Sequence, residues 1–207
     1  MSSAAALPLT GRPRRFDPET ELRMIIDATT TLLRRNDYEA VSVGAILTEA
    51  GLSTRSFYRH FASKDELLIA LYHENAEQAA ARLTARVAAA RTPREGVEHW
   101  VDELLSFAYD AGKARRVASF DAPSARRAVG YDDAQRAAMS LLGEPLREVL
   151  ERGRHDGSFP HTSPERDALS ISALVWDVIR WESRPPTRQD ALAHVLRFAL
   201  AGLTAPG

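Results

Sequence analysis

The residues best equipped for chemistry in this chain of 207 residues lie in one short run, Thr54-Arg55-Ser56-Phe57-Tyr58-Arg59-His60-Phe61. Hydroxyls, guanidinium and imidazole at this density suit recognition by hydrogen bonding. On a helix, Arg and Thr or Ser reach base edges in a DNA major groove, while Tyr, His and Lys grip phosphates. Phe57 and Phe61 stand one helical turn apart and would anchor such a helix, which leaves Thr54, Arg55, Ser56, Tyr58, Arg59 and His60 over the remaining surface. Bond-making chemistry has far less support. The six histidines are dispersed with no His-Glu-x-x-His pair, and there is no Gly-x-Ser-x-Gly elbow, Walker lysine loop or Gly-x-Gly-x-x-Gly fingerprint. Glu98 and His99 are adjacent, which is the wrong spacing for one helical face. Zero cysteines exclude disulfides, thiolate catalysis and thiolate-bound zinc. No catalytic residue, metal or cofactor is expected.

The elements that must position the run can be read from their punctuation. Ser42 is a helix cap ahead of a buried side made of Val43, Ile46, Leu47 and Ala50, and Gly51 supplies the backbone freedom for a sharp stop. Ser53 then begins the helix that carries the run. Ser63-Lys64-Asp65-Glu66 has capping-box spacing and opens a third. Lys64 in that first turn opposes the helix dipole, a cost that an incoming phosphate would reverse; the bland alternative is a lysine in water. Upstream, Asp17-Pro18 starts a helix whose face is Leu22, Ile25, Ile26, Thr29, Leu32 and Leu33, ending near Asn36-Asp37.

Ser42, Ile46, the Ala50-Gly51-Leu52-Ser53 turn, Phe57-Tyr58-Arg59-His60-Phe61, Lys64 and Leu67-Leu68 together resemble the N-terminal DNA-binding domain of the TetR family of transcriptional regulators. Leu47 departs from the pattern, since such motifs usually carry alanine four residues before the turn glycine. A bulkier residue there bears on the crossing angle of the two helices. The resemblance implies an all-α protein: a basic arm at 1–16, a three-helix DNA-binding domain with a helix-turn-helix at 17–62, and a helical effector-binding and dimerisation domain at 63–207. Base readout falls to Thr54 and Arg55, with Ser56 beside them; Tyr58, His60 and Lys64 hold the backbone. Ser42, Val43 and Gly44 meet phosphate at the preceding helix start. Arg12, Arg14 and Arg15 reach the neighbouring groove or backbone.

Charge placement agrees with this division. Residues 1–16 carry three arginines and no acid, and residues 50–64 carry Arg55, Arg59 and Lys64 and no acid. These two segments hold +6, and a chain total of −1 leaves −7 for the rest. Such confinement of positive charge suits local phosphate neutralisation; the alternative is that the arginines are solvated surface charges. The N-terminus lacks a long apolar run, so neither a signal peptide nor a membrane span is expected, and a cytoplasmic location fits. Only Lys64 and Lys113 among the basic residues are lysines, a bias that points to a GC-rich bacterial genome.

Beyond residue 63, one long helix is expected through Leu67, Leu71, Asn75, Ala79 and Leu83 towards Ala90, with a break at Arg91-Thr92-Pro93. Val97, Trp100, Val101, Leu104, Leu105 and Ala108 mark the next helix. Gly112 to Asp133 is less regular, and a long helix resumes through Met139, Leu142, Leu146 and Val149 to Gly157. Two last helices carry apolar stripes, Ile171, Leu174, Val175, Val178 and Ile179, then Leu192, Val195, Leu196, Ala199 and Leu203. In the TetR family two such helices from each subunit form a four-helix dimer interface, and these positions match; the alternative is that both stripes complete the monomer core. Dimerisation would let two reading helices engage a palindromic double-stranded DNA operator. A small-molecule effector would meet Trp100, Phe107, Tyr109, Phe120 and Trp176, with Asn75 or His99 as polar partners, each of which also reads as core. The competing function is a helical small-molecule-binding or interaction protein whose helix-turn-helix does not read DNA specifically. Weak salt dependence would mark it.

Overall fold

The computed structural model describes residues 16–36, 38–180 and 184–204, and every regular element among them is helical. The first helix, α1 (Pro18–Leu33), begins where expected: the Asp17 carboxylate accepts from the Thr20 N–H at 2.9 Å, and proline sits in the first turn. A 3-10 turn at Tyr38–Ala40 leads to α2 (Val43–Ala50) and α3 (Thr54–His60). Ser42 and Ser53 cap them, accepting from the N–H groups of Ala45 and Ser56. Gly51 takes φ +66°, the left-handed conformation that ends α2 and turns the chain into α3.

These elements close around Ile25, Ile46, Phe57 and Phe61, with Phe57 fully buried. The head core does not stop at residue 62. Leu67, Leu68 and Leu71, from the first two turns of α4 (Lys64–Ala88), belong to it. So do Phe120 from α6 (Ala111–Asp121), Ala125 from α7 (Pro123–Arg126) and Ala128 just beyond. The long helix is therefore rooted in the head before it enters the body.

The body core is built by α4, α5 (Pro93–Tyr109), α8 (Tyr131–Asp156), α9 (Pro164–Arg180) and α10 (Arg188–Thr204). The Gly112–Asp133 stretch is more helical than its composition predicts, since α6, α7 and the start of α8 occupy nearly all of it. Asp110 caps α6, and left-handed Gly130 reverses the chain into α8. Trp100 is fully enclosed, and its indole N–H donates to the Leu142 carbonyl at 2.9 Å, one turn before Pro145 interrupts the α8 ladder.

The apolar stripes of α9 and α10 turn inwards. Ile171, Val175, Val178, Ile179, Val195, Ala199 and Leu203 are buried within one protomer, and Leu174, Leu192 and Leu196 pack half-buried against the same core. For the fully buried members the protomer core is the partner, since α5 and α8 cover them, while Leu174, Leu192 and Leu196 keep part of their surface outward. The two helices also leave Leu169 72% and Phe198 53% exposed.

Candidate nucleic-acid interface and body cavity

On α3, Thr54, Arg55 and Tyr58 are exposed together. Arg55 makes no hydrogen bond or ion pair among the described residues, so its full donor fork is available. Tyr58 packs edge-on against Phe57, centroids 5.4 Å apart, and its phenol projects into solvent. At the start of α2, Ser42 and Gly44 are exposed and Val43 half-buried. A Cβ on Gly44 would meet nothing nearer than the Ser42 hydroxyl at 3.8 Å, so this corner admits close approach of a phosphate.

Three expected contacts stand differently. Ser56 is buried, its Oγ 3.1 Å from that of Ser53, so it serves the helix cap and leaves the reading face. His60 turns back towards α1, with Nε2 buried and 3.5 Å from a Glu21 carboxylate oxygen. Lys64 neither floats in water nor stands open. Its ammonium donates to the Tyr38 carbonyl at 2.6 Å and lies 4.0 Å from the centre of the Tyr38 ring, and burial pushes its pKa down. Arg12, Arg14 and Arg15 lie outside the described residues.

Glu21 is the residue that reading the sequence missed. It lies in the first turn of α1, is 4% exposed, and accepts a hydrogen bond from Arg59 on α3. That bond, with Arg59's charge and His60 adding to it, holds the Glu21 carboxyl below the ordinary carboxylate range. Arg59 is thus the brace that fixes α3 on α1, and its positive charge is largely balanced within the head. Amphipathic patterning treats a glutamate in a first helical turn as solvated, so only the 38-residue separation closed by folding reveals the pair.

In the body, a cavity of about 100 Å³ lies between α4, α5, α6, α8 and α9, and Asn75, Phe107, Phe120 and Trp176 line it as expected. Trp100, Tyr109 and His99 do not. Trp100 is core with its donor satisfied; the Tyr109 hydroxyl donates to the Pro185 carbonyl at 2.6 Å; His99 Nδ1 pairs with the Arg86 carbonyl at 2.9 Å. The wall also contains cations that the sequence presented as surface charge, namely Arg82, Lys113, Arg116 and Arg180. Beside it, a cleft of about 360 Å³ is bounded by Thr30 and Leu33 of the head's first helix, by Arg34 that follows it, and by Gly112 and Arg115 of α6.

Of these cations Lys113, together with Arg86 from outside the cavity wall, converges on buried Glu103. Lys113 Nζ donates to Glu103 at 2.9 Å and to Ser106 Oγ at 2.7 Å, and Arg86 reaches the other Glu103 oxygen at 3.1 Å. Burial opposes the Glu103 charge, yet these hydrogen bonds outweigh it and hold the carboxyl below its ordinary value. The network ties α4, α5 and α6 into one unit. No group of three or more His, Asp or Glu among the described residues is arranged to hold a metal ion, and no described helix is long and apolar enough to cross a membrane.

Comparison with known proteins agrees with this geometry. Residues 25–71 match the model for bacterial regulatory proteins of the tetR family, ending at the last α4 residue of the head core. The chain is 24% identical over 174 residues to the HTH-type transcriptional repressor KstR of Mycolicibacterium smegmatis, covering 81% of this chain and 79% of that one. To the HTH-type transcriptional regulator UidR of Escherichia coli it is 23% identical over 191 residues, covering 86% and 90%. The fold is shared with a putative TetR-family regulator from Mesorhizobium loti, with TM-score 0.73, 18% identity and coverage of 91% and 97%. It is also shared with FadR from Bacillus subtilis in complex with stearoyl-CoA, with TM-score 0.69, 17% identity and coverage of 87% and 98%.

Proposed function

We propose that this chain, a member of the tetR family of bacterial regulatory proteins and a DNA-binding transcriptional regulator, acts as a homodimeric repressor that occludes a palindromic operator and is released by a small molecule. The observation that carries the DNA side is the state of α3. It is pinned by buried Phe57 and by the Glu21–Arg59 bridge, while Thr54, Arg55 and Tyr58 face outward unengaged. Direct readout needs such a helix, rigid along its anchored side and donor-rich along the other. Arg55 and Thr54 are assigned to base edges. Tyr58, Ser42, Val43 and Gly44 are assigned to phosphates, with Lys64 contributing the donors it does not spend on Tyr38.

Selection of bound fragments from random and genomic DNA by the purified protein, at two salt concentrations, tests this reading. An enriched inverted repeat is expected. Arg55→Ala should lower affinity for it by about 1–3 kcal/mol and relax preference at the contacted base pair. Enrichment unchanged by that substitution, or salt-sensitive background alone, would remove sequence readout from α3.

Leu169 and Phe198, large apolar side chains left exposed on α9 and α10, support the homodimer. Phe198 borders a groove with Leu174, Ala199 and Gly202, the kind of surface that association covers. Phe198→Glu places a charge there and should yield monomers by light scattering at micromolar concentration, with half-site binding only. A variant that remains dimeric would move the interface elsewhere.

Release by an effector is supported by the course of α4, whose first turns pack in the head while Asn75, Ala76, Ala79 and Arg82 line the body cavity. FadR of Bacillus subtilis, of the same fold, binds stearoyl-CoA. An effector acts here only by favouring an arrangement of the two heads other than the DNA-bound one, since equal affinity for both shifts nothing.

A further inference from the structure

The wall shared by the inner cavity and the head–body cleft contains Asn75, Lys113, Arg116 and Phe120. Of the four cations around the cavity, three have acidic partners: Arg82 and Lys113 lie 3.7 and 2.9 Å from Glu103, and Arg180 lies 3.4 Å from Asp121. Arg116 has none within ion-pair distance among the described residues. Its Nη1 donates at 2.9 Å to the neutral amide oxygen of Asn75, whose own nitrogen is spent on the Leu71 carbonyl at 2.7 Å.

Burial, and then repulsion from Arg34 and Arg82, disfavour the Arg116 charge. Asp110 acts in its favour but is engaged in capping α6, where it accepts from the Lys113 N–H at 2.9 Å. A half-buried guanidinium satisfied only by an amide is a charge that lacks its counter-ion. Beside these charged groups and Asp121, the cavity wall carries an apolar stretch of Val117, Phe107, Met139, Leu142 and Trp176.

We propose that the effector is an amphipathic carboxylate whose headgroup replaces Asn75 as the partner of Arg116 and whose apolar body fills the inner cavity. This deepens the reading of the body as an effector domain and rests on it. Size supports the displacement: about 100 Å³ is below the roughly 300–1,000 Å³ of most ligand pockets, whereas the cleft of about 360 Å³ lies just beyond the Asn75–Arg116 pair. Drawing Arg116 away from Asn75 joins the two spaces. It also loads the end of α1, because Thr30, Leu33 and Arg34 bound the cleft and Arg115 donates to the Arg34 carbonyl at 2.7 Å. Charge recognition and movement of the head then share one residue.

Titration calorimetry of the full chain with octanoate and with 1-octanol, which match in length and differ in headgroup charge, tests the assignment. Octanoate should bind about tenfold or more tightly than octanol, the preference vanishing in Arg116→Gln and persisting in Arg116→Lys. Circular dichroism of both variants confirms that they are folded. Octanol binding as tightly as octanoate, a preference that survives Arg116→Gln, or binding of neither compound would overturn the proposal. A parallel titration of the protein–DNA complex separates this from the function above: octanoate that binds through Arg116 without releasing DNA keeps the carboxylate site and removes the release mechanism.

Discussion

Phe57→Ala is expected to destabilise the DNA-binding head by about 3–5 kcal/mol, the usual cost of truncating an enclosed aromatic. Phe57 is fully buried, touches Phe61 with ring centroids 5.8 Å apart and supports Tyr58 from beneath. Its loss opens a void where α3 meets α1 and α2, so the seven-residue helix loses the anchor that a piece of this length cannot do without. The body core draws on a separate set of residues, from Ala79 to Leu203. Hydrogen exchange should therefore rise in α1 to α3 and the first turns of α4 while α5, α8, α9 and α10 keep their protection. Specific DNA binding should disappear at temperatures where the body remains folded. Uniform loss of protection through the whole chain would show instead that head and body unfold as one cooperative unit.

The reach of that prediction follows from what short-range pattern conveys. Ser42, Gly51 and Ser53 act on N–H and C=O groups within a few residues of themselves, so the ends of α2 and α3 were legible from the sequence, as were Phe57 and Phe61 as the buried edge. Periodicity says which side of a helix is apolar and nothing about what covers it. Trp100 and Phe107 are seven residues apart on one face of α5, yet the first is sealed against Leu142 and the second lines a cavity. The stripes of α9 and α10 pose the same ambiguity. Val175 and Val195 suit a protomer core as well as a dimer seam, and only the placement of α5 and α8 decides for the core. Charged residues were the least legible. Glu21, Glu103 and Arg116 look solvated along the chain and become half-buried or buried because partners 10 to 41 residues away meet them.

Arg59→Met should expose the most consequential of those partnerships. The substitution keeps much of the aliphatic stem and removes the guanidinium, leaving the Glu21 carboxylate 4% exposed with only His60 Nε2 near it, at 3.5 Å. Breaking a fully buried pair in this way costs about 3–5 kcal/mol. Arg59 is itself 44% exposed at its side chain, so solvent already screens part of the attraction, and a loss of about 2–3 kcal/mol at pH 7 is expected. The pH dependence identifies the cause. In the native protein the Glu21 pKa is lowered, so its contribution is complete above the ordinary carboxylate range and is lost as pH falls through the folded value. In the variant an unpaired buried carboxylate favours its neutral form. Both effects narrow the gap between the two proteins as pH falls from 7 towards about 4. Urea denaturation at the two pH values measures it, and a gap that stays constant would mean that Arg59 acts through packing alone. Because Thr54, Arg55 and Tyr58 ride on the same helix, operator affinity at pH 7 should fall with the brace even though Arg59 is not assigned to any base. The substitution should weaken cognate and altered sites alike, in contrast to Arg55→Ala, which should lower affinity for the cognate site most.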